Sequence, residues 1–576
     1  MLDVVGIPVD DELLSGWRAR VGLARVRLGW TAPALVVRPH ARGTSLALQA
    51  PCDQLFLATE INEWALCATL VGRDPRRWAQ LEAGLQAAAQ ENAIAGQEPI
   101  PPVIAETEAL ARFERLAARE GRPRLRALLA AAAAHALPEV LDEDWLTLGA
   151  GQSGRDYPLA ALPAVAEVPW DALGDVPTAL VTGSNGKTTT VRLLAACLEA
   201  AGRAVGYNCT DGVFVAGEAL DRGDYSGPAG ARFVLRDRRV QAAVLETARG
   251  GILRRGLAVT QAHVAVVTNV SADHFGEYGI DDLEGLADTK LTVASVLLPD
   301  GLLVLNADDA QLRERAGGLA RRLGHRPALG WFAARDDEPL LAAHRAGRGA
   351  TCGVRAGQLA LTFAGATADL GVIAAMPLTI GGSAAYNVAN LAAAALAAAA
   401  LGVPPATIAG VFARFGRRPD DNPGRLMRYR IGDVDVLVDY AHNPDGLRAL
   451  LGVARHLRRD GGRLGLLLGH AGNRQDTDLE ALAAVAADAR PDLVVVKENE
   501  AHLRGRAPGE IPRILCAALE RGGLPPSAVR VRMSEVEAAR EALDWARPGD
   551  LLVLPLHAAA ARAAVLGMLG PDRPDG

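Results

Sequence analysis

Only three of the 61 basic residues in this 576-residue chain are lysines: Lys187, Lys290 and Lys497. Arginine and lysine are chemically distinct. A guanidinium is a permanently charged planar fork, whereas an amine is a compact charge that can lose its proton and react. Lys187 lies in ALVTGSNGKTTTVRLL, where a strand-like run meets a Gly-rich turn and Lys-Thr-Thr opens a helix. Across Gly183, Ser184, Asn185 and Gly186 the backbone N–H groups would face phosphate oxygens, and the helix N-terminus adds partial positive charge. Lys187 would reach the β- and γ-phosphates, and Thr188, followed by Thr189, would hold Mg²⁺. The form is GxxGKTT, with Val181 standing where the commoner GxxxxGK[ST] has its first glycine. The ligands this pattern implies are ATP and Mg²⁺.

Glu246 ends the strand-like run of VLETARGG. A carboxylate there is either satisfied inside the core or bound to a metal at the ligand end of a parallel sheet. VTNVSADHFG places Asn269, Asp273 and His274 at another strand end. One reading gathers Thr188, Glu246 and His274 about magnesium, although imidazole is an uncommon ligand for so hard a cation. Lys290, in LADTK, follows this cluster. NADD (residues 306–309) follows GLLVL, and Asp439, His442 and Asn443 fall in DYAHNPDG, where Pro444 suits a first helical turn. Taken alone, HNPDG also reads as an ordinary polar turn.

These residues need elements to position them. From about residue 176, short β-branched runs (TALVT, AAVLET, VAVVTNV, GLLVLNA) alternate with Ala/Leu-rich helical stretches, which predicts an α/β domain with a mostly parallel sheet. Helices are expected near 387–401 and 405–415. GRRPDDNPGR then reads as a linker, and VDVLVDY, RLGLLLGH, LVVVKE, VRVRM and DLLVLPL form a second, smaller α/β series. The N-terminal part offers strand-like RVRLGW, ALVVRP and SLALQAP and helical stretches at 76–92 and 104–137, with no motif that carries chemistry. The expected organisation is three domains: an N-terminal α/β accessory or substrate domain (1–170), a central P-loop ATPase domain with a parallel sheet (171–422), and a C-terminal Rossmann-like domain (423–576).

Bulk properties narrow the class. Half of the residues are apolar and the net charge is −6, so neither a nucleic-acid nor a membrane partner is expected. Six scattered cysteines without a CxxC pair predict a reducing, cytoplasmic setting and no structural zinc. The first residues lack the basic and apolar regions of a signal peptide.

GSNGKTTT, Glu246, the Asn-x-x-x-Asp-His segment, NADD and DYAHNP together resemble the Mur ligase superfamily of ATP-dependent amide-bond ligases, and do so in its order and approximate spacing. The runs TDGVFVAGE, ETARGGILR, SADHFG, PGRLM and VVKENE bring the chain closest to the cyanophycin-synthetase-like group, across about 176–560. The resemblance implies an enzyme in which an acceptor carboxylate is phosphorylated by ATP and the acyl phosphate is then captured by an amine. It further implies that Lys290 is carbamylated and binds metal with His274, that Asn306, Asp439 and His442 contact the nucleotide, and that Asn387 lies near the adenine. Arg425 would reach a phosphate, and Arg249, Asn443, Lys497 and Arg504 would face the substrates; Lys497 reads equally as an exposed cation at a helix start. Members of that group also carry an ATP-grasp ligase, for which 576 residues leave no room. Expected partners are therefore amino-acid and peptide substrates, a separate ATP-grasp or polymer synthetase protein, and further copies of the chain. The competing readings are a non-catalytic nucleotide-binding subunit, a folylpolyglutamate-type ligase, and a P-loop kinase or simple ATPase.

Overall fold

The structure, a computed structural model, describes residues 1–31, 34–40, 43–76, 80, 84, 104–273, 275–336, 338–472, 474–498 and 503–570. The expected helix at 76–92 therefore lies almost entirely outside the described residues, as does His274. The chain divides into two compact units. One holds residues 1–136, 157–170 and 275–281; the other holds 137–156, 171–274 and 282–576.

In the first unit a three-stranded antiparallel sheet (Leu2–Val5, Leu35–His40, Gly43–Leu48) accompanies helices Asp11–Arg27, Leu55–Arg73 and Glu106–Glu120. ALVVRP and SLALQAP contribute strands as expected, but the first half of RVRLGW is the end of a helix. Asp10 caps that helix through Leu13 N–H, and Leu13, Trp17, Val21 and Ala24 bury one face at helical spacing. The period set upstream overrides the alternation of Arg25–Leu28. The stretch 104–137 is two helices, Glu106–Glu120 and Pro123–Ala134, interrupted by the Gly121-Arg122-Pro123 corner.

The second unit contains two large sheets. The strands of the first are β1 (Thr178–Thr182), β2 (Val205–Cys209), β3 (Gly212–Val215), β4 (Glu218–Arg222), β5 (Ala242–Glu246), β6 (Ala262–Val267), β7 (Leu297–Asn306), β8 (Ala328–Asp336), β9 (Ala350–Arg355), β10 (Gln358–Phe363) and β11 (Ala366–Val372). Their order is β4-β3-β2-β5-β1-β6-β7-β8-β9-β10-β11. The run from β2 to β9 is parallel, and antiparallel strands extend both edges. Strands β1 and β5 are buried along their whole length, because a parallel sheet is covered on both faces. Helix α1 (Lys187–Ala200) and the Ala-rich helix α4 (Ala385–Ala400) join one core with β1, β5 and β7. Alanines let α4 approach closely on nearly every side, which answers for a helix apolar all round. Two shorter helices follow strands in this part, α2 (Arg249–Arg255) and α3 (Leu283–Lys290).

The second sheet comprises β12 (Met427–Ile431), β13 (Val434–Asp439), β14 (Leu464–Leu468), β15 (Leu493–Lys497), β16 (Val529–Arg532) and β17 (Leu551–Pro555), ordered β12-β13-β17-β14-β15-β16. All pairings are parallel except β12 with β13. Helices α5 (Pro444–Leu457), α6 (Glu535–Trp545) and α7 (Ala559–Leu569) pack with it. Among the described residues no helix is long and apolar enough to cross a membrane.

Candidate functional site at the strand ends

The Gly-rich turn leaves β1 at Thr182 and enters α1 at Lys187. Gly183 has φ +147°, and a Cβ there would lie 1.8 Å from Thr268 Oγ1. Gly186 has φ +83°, and its Cβ would lie 2.2 Å from Asn390 Oδ1. Both positions thus need glycine for conformation and for space. The loop is stitched to the end of β6: Ser184 N donates to Asn269 O (2.9 Å), Asn185 N to Asn269 Oδ1 (2.9 Å) and Thr268 Oγ1 to Asn185 O (2.6 Å). Asn306, at the end of β7, donates to Thr268 O at 2.9 Å and accepts from Asp308 N, so it braces this edge of the loop. Lys187 Nζ folds over the loop onto Gly183 O (3.1 Å) and Ser184 O (3.0 Å). These neutral acceptors are ones an anion would outcompete.

Glu246 is 1% exposed and accepts from Thr188 Oγ1 at 2.8 Å and from Thr210 Oγ1 at 3.1 Å. Burial raises its carboxyl above the usual range, opposed by the charge of Lys187, the Thr188 bond and Arg425. A hydroxyl and a carboxylate meeting beside a phosphate loop are hard oxygen donors, the set that suits magnesium shared with phosphate oxygens. Lys290 ends α3 at 3% exposure. Burial, then the charge of Lys187, holds its amine well below the ordinary lysine range, and buried Arg249 acts in the same direction.

The second sheet supplies the opposite wall. Asp439 ends β13, where Oδ2 accepts from Leu426 N and Oδ1 from Ala441 N, both at 2.7 Å. Burial raises Asp439, and the charge of Arg425 opposes this. The Arg425 guanidinium lies 4.1 Å from the centre of the Tyr440 ring. His442 Nε2 is 3.7 Å from Asp273 Oδ2. Asn443 caps α5 by accepting from Gly446 N (2.8 Å) and donates Nδ2–H to Asn185 Oδ1 at 2.9 Å. One cavity of about 640 Å³ is lined by residues 184–189, Glu246, Asn306, Asn387, Arg425, Asp439 and His442.

The comparisons with known proteins bear on what such a cavity belongs to. A family model for the Mur ligase middle domain matches residues 181–325, and one for the Mur ligase glutamate ligase domain matches 424–555. The UDP-N-acetylmuramoyl-L-alanyl-D-glutamate–2,6-diaminopimelate ligase of Xanthomonas campestris pv. campestris is 32% identical over 382 residues, 65% of this chain and 70% of that protein. The chain belongs to the Mur ligase family.

The cyanophycin synthetase of Synechocystis sp. is 36% identical over 379 residues, 66% of this chain and 42% of that protein. The chain spans about two fifths of the length of the cyanophycin synthetases it matches. Mycobacterium tuberculosis folylpolyglutamate synthase complexed with ADP shares the fold, with a TM-score of 0.50 at 19% identity, covering 81% of this chain and 99% of that one. The multidomain α/β architecture of this Mur ligase family member is the one its sequence resemblance implied.

The structure divides the predicted site residues into groups. Ser184, Asn185, Gly186, Lys187, Thr188, Thr189, Glu246, Asn306, Asn387, Arg425, Asp439 and His442 share the cavity. Gly183, Asn443, Arg249 and Lys290 are not among its lining residues; the first two fix the loop and the α5 turn, and Arg249 and Lys290 are buried. Asn387 is 2% exposed and spends its amide on Leu378 O and Asn390 Nδ2, a relay that ends near Gly186 and Thr190. Lys497 is not an exposed cation: it is 1% exposed and paired with Glu535. Arg504 is exposed and off the cavity, while Arg506 ties Gly472 O and Arg474 O to Glu510. The linker expected at 416–425 contributes buried Asn422, whose amide donates to Thr189 Oγ1 at 3.2 Å. Thr210, Tyr386, Asn390 and Tyr440 were not singled out from the sequence. Thr210 and Tyr440 lie within TDGVFVAGE and DYAHNP, whereas nothing local marks Tyr386, in the first turn of α4, or Asn390, in its second.

Proposed function

We propose that this protein is an ATP-dependent carboxylate–amine ligase of the cyanophycin-synthetase-like kind, working through an acyl phosphate. The observation that carries the reading is the meeting of Lys187, the Thr188–Glu246 pair and the Asp439–His442 turn about one cavity. An acceptor carboxylate oxygen attacks the γ-phosphorus of ATP, the bond to the β,γ-bridging oxygen breaks, and ADP departs. The amine nitrogen of an amino acid then attacks the acyl carbon, phosphate leaves, and the nitrogen loses a proton as the amide forms.

The chain's residues bind, orient and neutralise charge. The loop amides and Lys187 take the β- and γ-phosphates, where preorganised positive charge is worth most as the transition state develops. Arg425, stacked on Tyr440 at the cavity wall, reaches the same phosphates from the other sheet. Thr188 and Glu246 would hold Mg²⁺, which when bound neutralises phosphate charge. Burial of Lys290 favours the neutral amine that carbamylation requires, since nitrogen must present a lone pair to CO₂ and releases a proton as the carbamate forms. In this reading a separate polymer synthetase supplies the acceptor, and Arg249, buried off the cavity wall, does not touch it.

The test is to incubate purified protein with ATP, Asp-containing peptides and a panel of amino acids, following phosphate release and product mass. ADP, phosphate and a new amide in equal amounts are expected. Phosphate release that stays flat across the panel rejects the reading.

A further inference from the structure

The turn between β13 and α5 carries Tyr440 and His442 into the cavity and Asn443 onto the P-loop, yet its backbone belongs to no sheet or helix. Two consecutive carbonyls in it are each taken by a histidine from a neighbouring strand end. His557, two residues beyond β17, places Nε2 3.0 Å from Ala441 O. His470, two residues beyond β14, places Nε2 against His442 O. A carbonyl only accepts, so both rings must carry hydrogen on Nε2. What fixes that tautomer is visible at each Nδ1. Ala471 N donates to His470 Nδ1 at 2.7 Å, and Lys497 Nζ lies 3.4 Å from His557 Nδ1. Lys497 is itself held by Glu535, whose carboxylate also accepts from His557 N (3.0 Å) and Ala558 N (2.8 Å).

We infer that His470 and His557 are positioning residues: a pair of neutral imidazoles, buried at His470 and nearly so at His557, that set the 441–442 peptide and so aim the turn at the bound nucleotide. Lys497 and Glu535 enforce the His557 tautomer. The inference rests on the nucleotide reading of the cavity. It also explains why a lysine stands here. The Nδ1 partner must be a compact donor, and the neighbouring backbone leaves little room: a Cβ on Gly469 would lie 2.6 Å from Lys497 Cγ. Burial holds both imidazoles below the usual histidine range, with Arg474 and His442 acting the same way at His470 and Lys497 at His557, while Asp273 opposes it at His470; the Glu535 carboxylate also faces the His557 ring, 3.6 Å from Nδ1.

Two readouts test this on the full-length protein. Nitrogen-15 spectra of histidine-labelled protein, assigned with His470→Gln and His557→Gln, should show both rings as the Nε2–H tautomer and uncharged at pH 5.5, with or without nucleotide. Calorimetric titration with ADP should show about a tenfold weaker Kd for His470→Phe and His557→Phe, the loss expected of a displaced binding turn. Glutamine, which can still donate to the carbonyl, should stay within about twofold of wild type. Lys497→Met/Glu535→Gln removes both buried charges together and so preserves folding. Added to His557→Phe, it should weaken ADP binding no further. The inference is overturned by the opposite tautomer at either ring, by folded phenylalanine variants that bind ADP like wild type, or by additive losses in the combined variant. A wild-type protein that does not bind ADP overturns the nucleotide reading as well, whatever the tautomers.

Discussion

Lys290 carries the sharpest chemical question at the scale of single residues. Its amine is buried at 3% exposure, and burial together with Lys187 favours the uncharged form. A neutral amine also reacts with CO₂, whereas a permanently charged guanidinium does not. Activity is therefore expected to fall by about 100-fold or more in CO₂-depleted buffer, the scale of losing one preorganised electrostatic group, and to return with bicarbonate. Product mass spectrometry checks both halves. Undiminished turnover without CO₂ removes the carbamate from the mechanism. Lys290→Met should lose activity under either condition while keeping its melting temperature, because an apolar side chain of similar length fits a buried site. The type of residue at this position was legible from sequence, since lysine is so rare in the chain. Its burial was not, because nothing in LADTK distinguishes a buried helix end from an exposed one.

At the scale of elements, the parallel strands were legible because burial on both faces writes them as apolar runs, as in TALVT and LVVVK. Antiparallel edges such as Glu218–Arg222, exposed along its whole length, carry no such signal. RVRLGW misleads for a related reason: a helix end of alternating Arg and apolar residues imitates a strand when its upstream face is ignored. The DYAHNP turn shows how much an element boundary can hold. Asn443 performs two separate tasks, accepting from Gly446 N as the α5 cap and donating to Asn185 Oδ1 across to the P-loop. Asn443→Asp keeps the cap oxygen and loses the donor, so its melting temperature should stay near wild type while KM for ATP rises. Asn443→Ala loses both and should cost about 1 kcal/mol of stability besides. Denaturant melts and ATP saturation curves separate the two tasks; equal loss of stability in both variants would mean that the cap is not what the oxygen supplies.

At the scale of the whole molecule, one half-buried carboxylate joins parts that are far apart in sequence. Asp211, in the turn between β2 and β3, lies 3.4 Å from Arg192 Nη2 on α1 and 2.9 Å from Arg562 Nη2 on α7. Gly424 lets Arg562 through, for a Cβ there would lie 2.6 Å from Arg562 Cδ. Burial works to raise Asp211, but the charges of Arg425, Arg192 and Arg562 outweigh it and hold the carboxyl below its usual range. A depressed carboxyl contributes stability above its unfolded value of 3.8 and loses it as pH falls through the lower folded value, so this junction is intact at neutral pH. Asp211 is the anion that Arg192 and Arg562 share, and the two ends are not equivalent. Arg562→Met leaves Asp211 the charges of Arg192 and Arg425, whereas Asp211→Asn takes the shared anion from Arg192 and Arg562 together. Removing the shared partner of a buried ion pair costs about 3–5 kcal/mol, so Asp211→Asn should be the more damaging change. Hydrogen-exchange mass spectrometry should find lost protection in peptides covering 205–215 and 559–569, with β1 and β5 unchanged, and a smaller effect in Arg562→Met. Equal effects in the two variants would show that Arg562 alone carries the junction and that Asp211 is replaceable by a neutral amide.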